Sequence, residues 1–202
     1  MGRRSDHTRE QIVEMAINEG SALLSENGMS GFSARKVAAR IGYTVTTIHH
    51  VFGGFEEFML AINSSTMKKL LDYLNENAEE SEIVRDEIHS LASCYHRFAT
   101  ENKPLFLALF EFSLAPGKES PDWYLKKIRH LFERVEGPLS RIIERDPAFL
   151  RSTSISLWSA VHGITILDVT GKISIVGDNE NIDTLFTIVI DNAVEGMRQK
   201  IR

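Results

Sequence analysis

The sequence predicts an all-α fold: an amino-terminal three-helix unit containing a helix–turn–helix, followed by a larger helical domain. Three observations carry this. Apolar residues recur at three- and four-residue spacing along nearly the whole chain. Capping residues and Gly or Pro stops separate these repeats at intervals of one helix length. The one strand-like run, Ile173–Val176, is too short and isolated to make a sheet, and it reads as a loop.

The elements follow in order. Thr8 and Gln11 form a capping-box pattern, after which Ile12, Met15, Ala16 and Leu23 repeat with helical period until Gly28. Ser33 can cap a second helix with Val37, Ala38 and Ile41 as its apolar stripe and Arg35, Lys36 and Arg40 on its wet face. Gly42 ends that helix because it accepts a left-handed backbone, and Thr44 can cap a third whose inward residues are Ile48 and Phe52. After Gly53 and Gly54 a long helix from about residue 56 carries Met59, Ile62, Met67, Leu70, Leu71 and Leu74. Further helices are predicted over 83–100, 104–114, 123–143, 148–170 and 181–201, broken at Pro104, at the APGKESP segment and at Asp146-Pro147.

A chain of 202 residues with 43 % hydrophobic content suits one modest domain plus a larger one, divided here as 1–54 and 55–202. A single cysteine, Cys94, excludes an internal disulfide framework, and neither a membrane span nor a signal peptide is evident, so a cytoplasmic protein is expected. The net charge of −5 is unevenly spread. Up to Val51 there are six Lys or Arg against five acids, with Arg35, Lys36 and Arg40 close together, while the remainder is acidic.

In a helix–turn–helix the second helix lies in the major groove and the first crosses the phosphate backbone. Ser33, Arg35, Thr44, Val45, Thr46, Thr47, His49 and His50 are therefore the candidate DNA-binding residues. The segment from Ser33 to Phe58 resembles the TetR family of transcriptional regulators, whose pattern here is T-x-x-x-I-A-x-x-A-G-V-S-x-G-T-L-Y-x-H-F-x-x-K-x-x-L. Ser33, Val37, Ala38, Gly42, Thr44, Thr47, Ile48, Phe52 and Phe58 stand at matching or conservatively replaced positions. Where that family usually has glycine, tyrosine, histidine and lysine, this chain has Thr46, His49, Val51 and Phe55. Val51 cannot donate to a phosphate and Phe55 carries no charge, which predicts a weaker grip on the backbone.

Most aromatics lie beyond residue 90. An all-helical body can leave a cavity lined by such residues, and the candidate ligand-binding set is Tyr95, Phe98, Phe106, Phe110, Trp123, Phe132, Trp158, His162 and Ile166. The alternative for each is plain core. Trp158, His162 and Gly163 are similar to the signature of the domain called WHG in some TetR-family regulators. His162 is then either a ligand contact or a buried histidine bonded to a backbone carbonyl. Small residues Ala160, Gly163, Ala193 and Gly196, with the stripe Ile182, Leu185, Phe186, Val189 and Met197, suit close packing of the last two helices, and the family resemblance implies a homodimer built there.

No hydrolase, metalloprotease, phosphate-loop or dinucleotide motif is present, so neither an enzyme nor a cofactor is expected. Adjacent His49 and His50 diverge on a helix and make a poor metal pair. The resemblance implies a repressor that binds palindromic operator DNA as a homodimer and responds to a small apolar or amphipathic ligand. The alternative is a helical ligand-binding protein of the same fold that no longer reads DNA.

Overall fold

The computed structural model describes residues 7–143, 147–177 and 180–199. These are helical throughout apart from turns and loops, with no strand among them, and they form two compact units. The break at Asp146, Asp178 and Asn179 of the loop before the last helix, and the end of that helix at 201 fall outside the described residues.

The first unit comprises residues up to 69 together with 102–125. It holds α1 (Arg9–Gly31), α2 (Ala34–Arg40), α3 (Val45–Phe52), the first part of α4 (Phe55–Asn77), and α6 (Lys103–Glu111). The expected capping box closes at α1, where Gln11 N donates to Thr8 Oγ1 and Thr8 N donates to Gln11 Oε1. Gly28 kinks this helix rather than stopping it, with φ of 62°, and a further turn runs to Gly31. The core packs Ala16, Leu23 and Leu24 of α1 against Val37 and Ala38 of α2, Ile48 of α3, and Phe58, Met59 and Ile62 of α4. Leu105 and Ala108 of α6 join the same cluster. Gly20 permits α1 and α4 to approach closely, since a Cβ there would lie 2.5 Å from Ile62 Cδ1.

The second unit comprises residues 70–101 and those from 126 onward. It holds the end of α4, α5 (Val84–Glu101), most of α7 (Asp122–Ser140), α8 (Pro147–Val169), α9 (Ile173–Val176) and α10 (Ile182–Gln199). Its α10 packs on both α5 and α8. Phe98, Leu139, Leu157, Val161, Phe186, Ile190 and Val194 are buried. Glu87 is buried too, and the guanidiniums of Arg141 and Arg134 flank its carboxylate.

The 173–176 segment is one helical turn, not a loop. Lys172 N and Gly171 N turn back onto carbonyls of α8, and the Gly177 amide then closes on Ile173 O. A segment with no strand partner satisfies its backbone locally in this way.

Candidate nucleic-acid interface

The turn between α2 and α3 is set by backbone hydrogen bonds. Gly42, at φ 78°, lets Tyr43 N donate to Ala38 O at 2.8 Å while Gly42 N donates to Ala39 O, a Schellman closure of α2. Ser33 Oγ accepts from Lys36 N at the start of α2, and Thr44 Oγ1 accepts from Thr47 N at the start of α3. Each helix of the pair therefore starts on a side-chain cap. Gly53, at φ 94°, ends α3 with its amide on His49 O.

This geometry sorts the candidate residues. Arg35, Thr44, Thr46, His49 and His50 are exposed, and Ser33 and Thr47 are half-buried at the helix starts. Val45 is half-buried and packs against the core beside Ile48, which is fully buried. The exposed face of α3 is thus Thr46, His49 and His50, with Thr47 at its edge.

The charges are less available than their clustering suggests. Arg40 is held by Glu26 at 2.6 Å and Glu19 at 2.8 Å, both on α1, and the Arg40 guanidinium keeps the Glu26 carboxyl below the usual carboxylate range. Lys36 Nζ donates to Gly31 O at 2.7 Å. Arg35, the remaining exposed cation of α2, has no such partner among the described residues.

The departures from the family pattern have structural reasons. Val51 is 6 % exposed and serves the interior. The Phe55 ring lies tilted 6.3 Å from Phe32 and edge-on 6.4 Å from Phe112, replacing a charge with an aromatic contact to the loop after α6. The Glu56 carboxylate ties that loop down, accepting from Ala115 N at 3.0 Å and pairing with Lys118.

The candidate ligand residues divide between the units. Phe106, Phe110 and Trp123 belong to the first: Phe106 is buried, whereas Phe110 and Trp123 are 42 % and 43 % exposed. The others belong to the second, where four form a connected cluster. Trp158 and His162, one turn apart on α8, stack at 4.9 Å, the Phe132 ring meets Trp158 edge-on at 5.5 Å, and the Tyr95 hydroxyl bonds His162 Nδ1 at 2.9 Å. Phe98 pairs instead with Tyr73, and Ile166 lies one turn beyond His162, half-buried. Sequence reasoning missed Arg151, whose guanidinium lies 4.2 Å over the Phe132 ring while donating to Glu136 at 2.9 Å. Contacts between residues so distant in the chain leave no periodic signal. An open depression of about 450 Å³ between α5 and α10, lined by His89, Ser93, Arg97, Asp183, Thr184 and Thr187, involves none of these residues.

Burial lowers the His162 pKa and raises that of Tyr95. A histidine harder to protonate when folded contributes a stability that is full above its unfolded value, near about 6.5, and is lost as pH falls through it. The wild-type melting temperature is thus expected to drop more between pH 7.5 and 5 than that of His162→Gln. Parallel profiles would show that burial of this imidazole costs nothing.

Among the described residues no group of three or more His, Cys, Asp or Glu is placed to hold a metal ion, and no helix is long and apolar enough to cross a membrane.

Comparison with known proteins agrees with this geometry. The family described as bacterial regulatory proteins, tetR family, matches residues 16–62, which contain α2, α3 and the turn between them. The family described as tetracyclin repressor-like, C-terminal domain, matches residues 88–193, more than half of the chain. An uncharacterized HTH-type transcriptional regulator of Mycobacterium tuberculosis is 22 % identical over 201 residues, covering 99 % of this chain and 86 % of that protein. A Rhodococcus sp. RHA1 protein of unknown function has a similar structure, with a TM-score of 0.70 at 20 % identity over 97 % of this chain and 98 % of that one. The transcriptional regulator FadR from Bacillus subtilis, solved in complex with stearoyl-CoA, aligns with a TM-score of 0.60 at 14 % identity over 91 % of this chain and 98 % of that one. The two family matches include both the helix–turn–helix and the Trp158–His162 cluster, and the chain belongs to the TetR family, whose members are DNA-binding transcriptional regulators and not enzymes.

Proposed function

We propose that this regulator is a ligand-responsive repressor, acting in the cytoplasm as a homodimer on a palindromic operator. Residues 1–54 serve as the DNA-reading domain and 55–202 as the ligand-binding and dimerisation domain. The observation that carries the reading is the outward face of α3, where Thr46, His49 and His50 are exposed directly after the Thr44 cap. Side chains there can meet base edges, Arg35 can meet a phosphate, and Ser33 and Thr44 can offer hydroxyls to the backbone.

For the dimer, α8 and α10 leave Ile155, Leu167 and Ile188 exposed, and a Cβ built on Gly163 or Gly196 would touch nothing among the described residues. Phe186 and Met197 of the expected stripe are instead buried within the protomer, so the proposed partner face lies beside them, over Leu185, Ile188 and Val189. Two heads in such a dimer read half-sites about 34 to 36 Å apart or a multiple of that.

For the ligand, the Tyr95, Phe132, Trp158 and His162 cluster supplies aromatic surface and a polar pair that can orient a small apolar or amphipathic molecule. The stearoyl-CoA complex of the FadR neighbour supports an amphipathic occupant. In a thermal-shift screen of hydrophobic metabolites, a compound that raises the wild-type melting temperature is expected to lose that effect in Trp158→Ala and to change affinity for a selected operator duplex. A compound that stabilises the protein with no change in duplex binding would contradict the ligand-responsive reading.

A second reading, a ligand-binding protein that no longer reads DNA, is favoured by the buried Val51, the aromatic role of Phe55 and the pairing of Arg40. Operator binding by the alanine variant of Arg35 and Thr47 separates the two.

A further inference from the structure

Two contacts reach α3 from the start of α1, one at each end. Before α3, the His7 Nδ1 atom and the Tyr43 hydroxyl are 2.9 Å apart, with the two rings edge to face at 6.1 Å. Tyr43 immediately precedes the Thr44 cap on which α3 begins. At the other end, Arg9 Nη2 donates to the backbone carbonyl of Val51 at 2.8 Å. The last carbonyls of a helix have no partner within it, and a cation there also complements the negative end of the helix dipole.

We propose that His7 and Arg9 are positioning residues: they clamp the recognition helix in its reading register, and Arg9 acts on the helix rather than on a phosphate. This rests on the DNA-reading function proposed above. The chain has a reason to need such a clamp. Phe52 and Ile48 anchor one side of α3 in the core, yet the helix is only eight residues long, and its final turn is followed by two glycines at positive φ. The position where the family pattern has a histidine is here Val51, whose side chain is turned inward, and it is the carbonyl of this residue that Arg9 takes. A helix so short frays unless its ends are held, and a reading surface displaced by a fraction of a turn loses base contacts before it loses phosphate contacts.

The test uses the full chain and two fluorescein-labelled duplexes of equal length, one enriched by the wild-type protein from a random-sequence library and one of scrambled sequence. Titrations run across a salt series. Arg9→Ala is expected to weaken binding to the enriched duplex about three- to tenfold, the range for a charge-assisted bond that is only partly buried. Binding to the scrambled duplex stays the same, and so does the slope of log K against log salt. If Arg9 instead grips a phosphate, the slope becomes shallower by about 0.9 and both duplexes weaken together, which overturns the proposal. Arg9→Lys, which keeps the charge and one donor, should recover part of the loss. His7→Ala and Tyr43→Phe should each reduce discrimination, and the double variant no more than either alone.

Amide hydrogen exchange supplies an arm that needs no DNA. In Arg9→Ala the amides of residues 49–53 exchange faster while those of α1 and α4 keep their rates. Unchanged rates in α3, with a wild type that still discriminates, overturn the clamp and leave the regulator reading standing. A wild type that enriches no sequence overturns the regulator reading, and with it the register the clamp would serve.

Discussion

Replacing Arg35 and Thr47 together by alanine is expected to lower affinity for an enriched operator duplex by roughly a hundredfold, as the loss of a phosphate contact and a base-edge contact would, each worth about 1–3 kcal/mol. Both side chains sit at or near the open surface of the two short helices, so neither change disturbs the core. Arg35 is exposed on α2, and Thr47 lies in the first turn of α3 with its hydroxyl 3.1 Å from that of Thr44. The salt slope should become shallower by about one, because one phosphate contact has gone. In this respect the pair differs from Arg9→Ala, which leaves the slope alone. A double variant that binds the duplex as the wild type does, and represses the same genes, would favour the reading in which the fold is kept for ligand binding alone.

Phe58→Ala is expected to be the most damaging single change to the first unit. Phe58 is fully buried, its ring lies 4.7 Å from Phe52 and 6.1 Å from Phe32, and it stands in the cluster that joins α1, α2, α3 and α4. Truncating such a ring removes its transfer energy and leaves a cavity, at a cost of about 3–5 kcal/mol. That is a large share of the roughly 5–15 kcal/mol that holds a domain together. Urea denaturation followed by near-ultraviolet circular dichroism measures it, and operator binding should vanish in the same variant. A loss under about 1 kcal/mol would mean that the α3–α4 junction repacks, and that α3 is held mainly by its caps and by contacts from α1.

Much of the first unit was legible in the sequence because its signals are local. Thr8 with Gln11, Ser33, Thr44, Gly42 and Gly53 each act within a few residues, and each does in the structure what its chemistry predicts. The inward residues of α3 were readable from period alone as far as Ile48 and Phe52. Val51 was missed because the family pattern puts a polar residue there, although its spacing of three from Ile48 places it on the same buried face. Arg40 was read correctly as outward, but its two acidic partners on α1 lie 14 and 21 residues away, and no spacing rule connects them. The same limit applied to the body. The i, i+4 pairing of Trp158 with His162 could be read directly, whereas Tyr95, Phe132 and Arg151 meet them only through the packing of separate helices. The aromatic set drew on both units, since Phe110 and Trp123, 42 % and 43 % exposed, lie in the first. Aromatic content identifies residues that will be packed, but it does not identify their neighbours.

The part played by α6 was also hidden. Leu105 and Ala108 complete the core beneath the reading helices although they stand more than forty residues beyond Phe58. The Lys118 contact to Glu56 reaches the start of α4 from the same distant segment.

The claim at the centre is that the short helix after Gly42 selects a base sequence. Competition between an enriched duplex and a scrambled one, titrated with the purified protein from low to physiological salt, tests it most directly. The account predicts a preference of at least about a thousandfold at physiological salt, abolished when Thr46, Thr47 and His50 are replaced by alanine. Equal affinity for both duplexes at every salt concentration would contradict it.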